Sequence, residues 1–106
     1  MRKIEKQVVG AFVRGHEATN ANTTATKNSL YLHGHEIARR LPCGSIEVSN
    51  AGWETRTTQS RLNALCQLLG MRSKVFTKNY TMRIEGIDGV DVPMFEGWHL
   101  IQEVTA

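Results

Sequence analysis

The chain has 106 residues, 41% of them hydrophobic, two cysteines and a formal charge of +3. That length suits a single domain over residues 1–106 whose core needs no metal or disulfide staple, and two cysteines are too few for a disulfide framework. No apolar run approaches the roughly 18–20 residues that span a bilayer, and the interrupted run Val8, Val9, Phe12, Val13 is too short for a secretory leader, so a reducing cytosol is the expected compartment.

Ile4, Val8, Val9 and Phe12 recur at helical spacing over residues 3–14, with Lys3, Lys6 and Arg14 on other faces and Gly15 suited to end the helix. Residues 15–28, rich in Asn, Thr and Ala and lacking an apolar anchor, read as a mobile loop. Residues 30–32 and 35–37 flank His33-Gly34, a two-residue hairpin turn that pairs Leu32 with His35 and Leu30 with Ile37. Pro42-Cys43-Gly44 makes a second turn before a third strand carrying Ile46 and Val48. Beyond Trp53, Thr57 or Thr58 is suited to cap a helix whose stripe is Leu62, Leu65, Leu68 and Leu69, ending at Gly70. Leu62, Leu65 and Leu69 are expected to pack on Leu30, Leu32, Ile37, Ile46 and Val48. Residues 74–77 and 80–84 then flank a turn at Lys78-Asn79, and residues 90–92 and 98–104 are further strand candidates. The fold expected is α+β, in the order helix, three strands, helix, three or four strands, with an antiparallel sheet packed on the helices.

Charge is segregated along this order. Residues 1–54 hold seven basic and five acidic side chains. Residues 55–84 hold Arg56, Arg61, Arg72, Lys74, Lys78 and Arg83 and no acid, whereas residues 85–106 hold Glu85, Asp88, Asp91, Glu96 and Glu103 and no Lys or Arg. The six basic residues are the candidate nucleic-acid contacts. Arg56 and Arg61 flank a helix N-terminus among Thr55, Thr57, Thr58, Gln59 and Ser60, a combination of guanidinium and hydroxyl groups that suits phosphate positioning. The bland alternative is a solvated face, or one covered by Asp88, Asp91 and Glu96.

Other motifs point nowhere specific. His33, His35 and Glu36 resemble a metal-ligand cluster, but a turn residue and a strand residue diverge, so no metal is expected. Cys66 lies among leucines and reads as a core residue, and Cys43 has no nearby base, so no catalytic residue is assigned. Gly86, Gly89 and Gly97 lack phosphate-loop spacing and sit among acids. Trp53 and Trp98 read as core or rim aromatics. No cofactor is implied.

The runs Asn28-Ser29-Leu30-Tyr31-Leu32-His33-Gly34, Gly52-Trp53-Glu54-Thr55 and Thr57-Thr58-Gln59-Ser60-Arg61-Leu62-Asn63-Ala64-Leu65 resemble small, mostly uncharacterised proteins of tailed bacteriophages. The N-terminal Met-Arg-Lys-Ile segment is similar to theirs as well. This resemblance implies an accessory protein of the host cytoplasm, with either the nucleic-acid phosphate backbone or a host protein as its partner. In the second case the chain would inhibit or modulate host or defence machinery. The order of elements in the first 70 residues is also similar to a double-stranded-RNA-binding domain, although that domain's lysine-rich second-helix start is replaced by Thr57-Thr58-Gln59-Ser60-Arg61. Fold-level likeness of that kind assigns no activity.

Overall fold

In the computed structural model, which describes residues 1–95 and 97–104, the N-terminal segment is helical: a π-helical turn at Glu5–Val9 runs into α1 (Gly10–Val13). Its buried stripe is Glu5, Val8, Val9 and Phe12, so a carboxylate, not Ile4, opens the core face. Gly15 adopts φ 73°, which lets the N–H groups of Gly15 and His16 return to the carbonyls of Phe12 and Ala11 and end the helix. Arg40 also donates to the Phe12 carbonyl at 2.8 Å and lies over the Phe12 ring at 4.7 Å, tying the helix end to the sheet.

Five strands follow before the second helix, against the three expected. They are β1 (Ala18–Asn20), β2 (Thr23–Ala25), β3 (Ser29–Leu32), β4 (His35–Arg40) and β5 (Ile46–Val48). The segment read as a loop over residues 15–28 therefore contains a hairpin, β1–β2, with β2 paired to β3. Its inward residues, Thr23 and Ala25, are small and fully buried. A strand that fills the core edge with a threonine and an alanine carries no apolar alternation to read. The His33-Gly34 turn forms as expected, with φ 52° and 80° at its two central residues, and Leu32 faces His35. A bulge then shifts the register so that Leu30 faces Ala38 instead of Ile37, and both Ile37 and Ala38 are buried.

Helix α2 spans Arg56–Leu68. Its cap is Thr55, whose Oγ1 accepts the Thr58 N–H at 3.1 Å; Thr57 and Thr58, the expected caps, lie within the first turn. Leu62 and Leu65 are fully buried, Leu69 partly, and Leu68 is exposed, so the buried stripe runs through Thr58, Arg61, Leu62, Leu65 and Cys66. After Gly70, β6 (Lys74–Lys78), β7 (Thr81–Glu85) and β8 (Asp91–Pro93) form a separate antiparallel sheet. The turn joining β6 to β7 is Asn79-Tyr80, one residue later than expected, with both residues at positive φ. β9 (His99–Gln102) returns to pair with β5, giving the order β1-β2-β3-β4-β5-β9 in the larger sheet. The protein is thus a small α+β domain with two antiparallel sheets. Leu62 and Leu65 share one buried cluster with Leu30, Leu32, Ile37, Ile46 and Val48, and Val75, Met82 and Ile84 of the small sheet complete it.

Candidate nucleic-acid interface

Hydrogen bonds between α2 and β6 decide how the basic side chains are grouped. Asn63 uses both ends of its amide on the backbone of Val75, at 2.7 and 2.8 Å, and so stands in for a neighbouring strand along the β6 edge. One turn earlier, Gln59 accepts from Thr77 at 2.8 Å. Helix and strand therefore run antiparallel. Arg56 and Lys78 lie at one end of this pair, and Arg72 and Lys74 at the other. The 13 residues of α2 place Arg56 about 20 Å from the far end of the helix at 1.5 Å per residue, more than twice the roughly 8 Å screening length of physiological salt, whereas the five residues of β6 set Lys74 and Lys78 only about 13 Å apart.

The six candidates consequently do not make one surface. Arg61 is withdrawn altogether: it is 3% exposed and donates to Glu5 at 2.7 Å and to Thr23 at 3.0 Å. Helical periodicity explains this, because Arg61 falls on the same face as Leu62 and Leu65. Arg83 is paired with Asp91 at 2.6 Å, and Lys74 faces Glu85 across the β6–β7 ladder with a 3.8 Å ion pair. Acids of residues 85–91 thus cover part of the basic segment. Asp88 is not one of them, since it accepts the Val90 N–H of its own turn, and Glu96 lies outside the described residues. Arg56, Arg72 and Lys78 are exposed and have no ion-pair partner among the described residues. The start of α2 is itself partly satisfied, because Thr55 already accepts one of its free N–H groups.

Beside Arg56 the structure opens a pocket of about 380 Å³ between the β3–β4 hairpin and the start of α2. Its floor is apolar, with Leu32 and Ile37 buried there, and its rim carries His33, His35, Trp53, Thr55 and Thr57. Among the described residues no carboxylate lines it. Trp53, read from the sequence as a core or rim residue, is 53% exposed and has the His35 ring against it at 5.5 Å. A tight turn presents it. Ala51 and Gly52 both take positive φ, Trp53 N–H donates to the Asn50 carbonyl at 2.8 Å, and the buried Asn50 amide donates to the Met94 carbonyl at 2.7 Å. Sequence reasoning had no purchase on this pocket, because its walls come from two hairpin strands and a loop with no shared periodicity. Trp98, by contrast, is half-buried under the Arg39 guanidinium at 4.0 Å.

Among the described residues no three His, Cys, Asp or Glu side chains gather in one place. His33 sits in the turn at positive φ and His35 opens β4. Burial holds the His99 imidazole below its ordinary pKa, and its Nε2 is buried with no hydrogen-bond partner among the described residues. The two cysteines differ sharply. Burial pushes the Cys66 thiol up to about 11, whereas a hydrogen bond with Ser45 lowers that of the exposed Cys43. A thiol reagent at pH 8 is therefore expected to label Cys43 rapidly and Cys66 only on unfolding. Equal rates for both would mean that α2 opens readily.

The model of the Kyanoviridae Gp96 protein family matches residues 1–100, so the chain belongs to that cyanophage protein family. No curated protein and no solved structure matches it. Among the described residues no helix is long and apolar enough to cross a membrane.

Proposed function

We propose that this phage accessory protein is a non-enzymatic nucleic-acid-binding protein of the host cytoplasm, gripping phosphates with Arg56 and Lys78. The observation that carries this reading is the Gln59–Thr77 hydrogen bond, which sets at one end of the α2–β6 pair two exposed cations without acidic partners among the described residues. Arg83 adds a third, weaker contact from the β7 face, already shared with Asp91. Glu54 opposes them at the same end, although its carboxylate is engaged by the Met82 N–H at 2.8 Å. Arg72, beyond the far end of α2, and Lys74, paired with Glu85, drop out of the primary site.

Two principal contacts set a modest expectation. Two neutralised phosphates give a log–log salt slope of roughly 1.4 for single strands and 1.8 for duplex DNA, far below that of a six-contact patch. Fluorescence anisotropy of labelled oligonucleotides between about 50 and 200 mM salt measures it. Arg56→Ala with Lys78→Ala is expected to flatten the slope nearly to zero and weaken binding to all sequences alike, since phosphate contacts do not read bases. Absence of binding at about 50 mM salt ends this reading.

One feature favours a protein partner instead. Ile87, Val90, Val92 and Phe95 are exposed in and around β8, at the free edge of the small sheet. Exposed apolar patches of this kind mark interaction surfaces. Strand addition is poorly supported there, because Pro93 lacks an N–H and the strand is three residues long. A host protein would have to engage the side chains. That reading expects capture of one host protein after nuclease treatment, lost on Val90→Asp with Phe95→Asp and kept in the Arg56/Lys78 variant.

A further inference from the structure

We propose that the pocket between the β3–β4 hairpin and the start of α2 holds an unpaired base of a single nucleic-acid strand, stacked on Trp53. The inference rests on the nucleic-acid reading above and narrows its ligand from phosphate backbone in general to single strands. Tryptophan contributes large apolar area when buried, so a folded chain has reason to cover it. Here more than half of Trp53 stays in solvent beside a cavity whose floor is apolar. The platform is also rigid. Its backbone is set by the turn at Ala51-Gly52, its loop is anchored through Asn50, and its ring rests against His35 at an interplanar angle of 39°. A preformed aromatic surface avoids the ordering cost of assembling one on binding.

The chemistry of the pocket selects a base over other flat ligands. The volume of about 380 Å³ lies near the lower bound of small-molecule sites, which suits one base with its sugar. The buried polar groups beside that floor are already satisfied. Asn50 uses its amide on the Met94 carbonyl and the Gly52 N–H, and Thr58 shares its hydroxyl with Thr55 at 2.9 Å. The floor therefore offers contact area and no fixed hydrogen-bond pattern, as sequence-tolerant stacking requires. Arg56 follows directly from the rim residue Thr55, where the phosphate of a stacked nucleotide would need a cation; among the described residues no carboxylate lines the pocket, and the neighbouring Glu54 is engaged by the Met82 N–H. A base inside a duplex has both faces covered and its edge paired, so a paired strand gains nothing from this pocket.

Tryptophan emission reads the interaction directly. In a Trp98→Phe background, Trp53 is the sole reporter, and oligodeoxythymidylate at about 50 mM salt is expected to quench it while a duplex of equal length does not. By anisotropy in the otherwise unaltered protein, Trp53→Ala is expected to weaken single-strand binding roughly 5- to 150-fold, with Trp53→Phe retaining most of the affinity. Thermal melting of both variants is expected to match the parent, which separates lost contact from lost fold. Single-strand binding with unchanged Trp53 emission, or within twofold of the parent in Trp53→Ala, overturns the stacking proposal. If Arg56 and Lys78 still govern the salt slope, the phosphate-binding function survives that result. Thymidine monophosphate binding as tightly as the oligonucleotide would overturn the assignment to a strand. Failure of every nucleic acid to bind removes both the function and the pocket's role in it.

Discussion

Replacing Arg61 with alanine is expected to destabilise the protein by about 3–5 kcal/mol, the range for breaking a buried ion pair from one side. Arg61 and Glu5 are each 3% exposed at the side chain, and a 2.7 Å contact joins them. Ser60 also donates to Glu5 at 2.5 Å, and the Arg2 N–H does so at 3.2 Å. Without the guanidinium, a carboxylate is left in the core with only those neutral donors. Burial raises the pKa of Glu5, but its hydrogen bonds with Ser60, Arg61 and Arg2 and the charge of Arg61 together outweigh it and hold the carboxyl below its ordinary value. A depressed carboxyl contributes stability that is fully present above its unfolded pKa of about 4.3 and is lost as pH falls through the folded value. Urea unfolding at pH 7 and near pH 3 is therefore expected to show a loss of stability in the parent that is smaller in Glu5→Gln. A loss below about 0.5 kcal/mol in Arg61→Ala, the range of ordinary surface changes, would contradict the burial of the pair.

That pair also marks where sequence reading stops. Helix punctuation was legible because each signal is local: Gly15 and Gly70 accept positive φ, and His33-Gly34 has the chirality that a two-residue hairpin demands. The leucine face of α2 was legible for the same reason, being a matter of spacing. Arg61 looked like part of a basic surface because its acid, Glu5, stands 56 positions earlier and only tertiary folding brings them together. β1–β2 escaped notice because its inward residues are small, a threonine and an alanine. The β6–β7 turn was misplaced by one residue because Tyr80 takes φ 64°, a conformation that bulky side chains avoid and that only the ladder Lys78↔Thr81 imposes. Of the candidate interface, the cations Arg56 and Lys78 were legible as charges. Their placement at the same end of the α2–β6 pair was not, since it depends on Gln59 and Asn63 fastening α2 along β6. The Trp53 pocket gave no signal, being assembled from a hairpin tip and an irregular turn.

Leu65→Ala, paired with Leu68→Ala, tests the orientation of α2 that all these placements share. Leu65 has no exposed surface and belongs to the cluster that joins Phe12, Leu30, Ile37 and Val48 to Val75 and Ile84 of the small sheet. Truncation there removes contacts toward both sheets at once, and neighbours anchored on two sides have little freedom to collapse into the void. The expected cost is about 2–5 kcal/mol, toward the upper end if the cavity stays open. Leu68 carries the same side chain three residues later but is 38% exposed. Its truncation is expected to cost under about 1 kcal/mol, since much of that surface never leaves water. Chemical denaturation at neutral pH separates the two, and equal losses would mean the helix is rotated from the face described. Such a rotation would also carry Arg61 toward solvent and Asn63 away from Val75, so the packing of one leucine decides whether Arg56 and Lys78 share an end of the molecule.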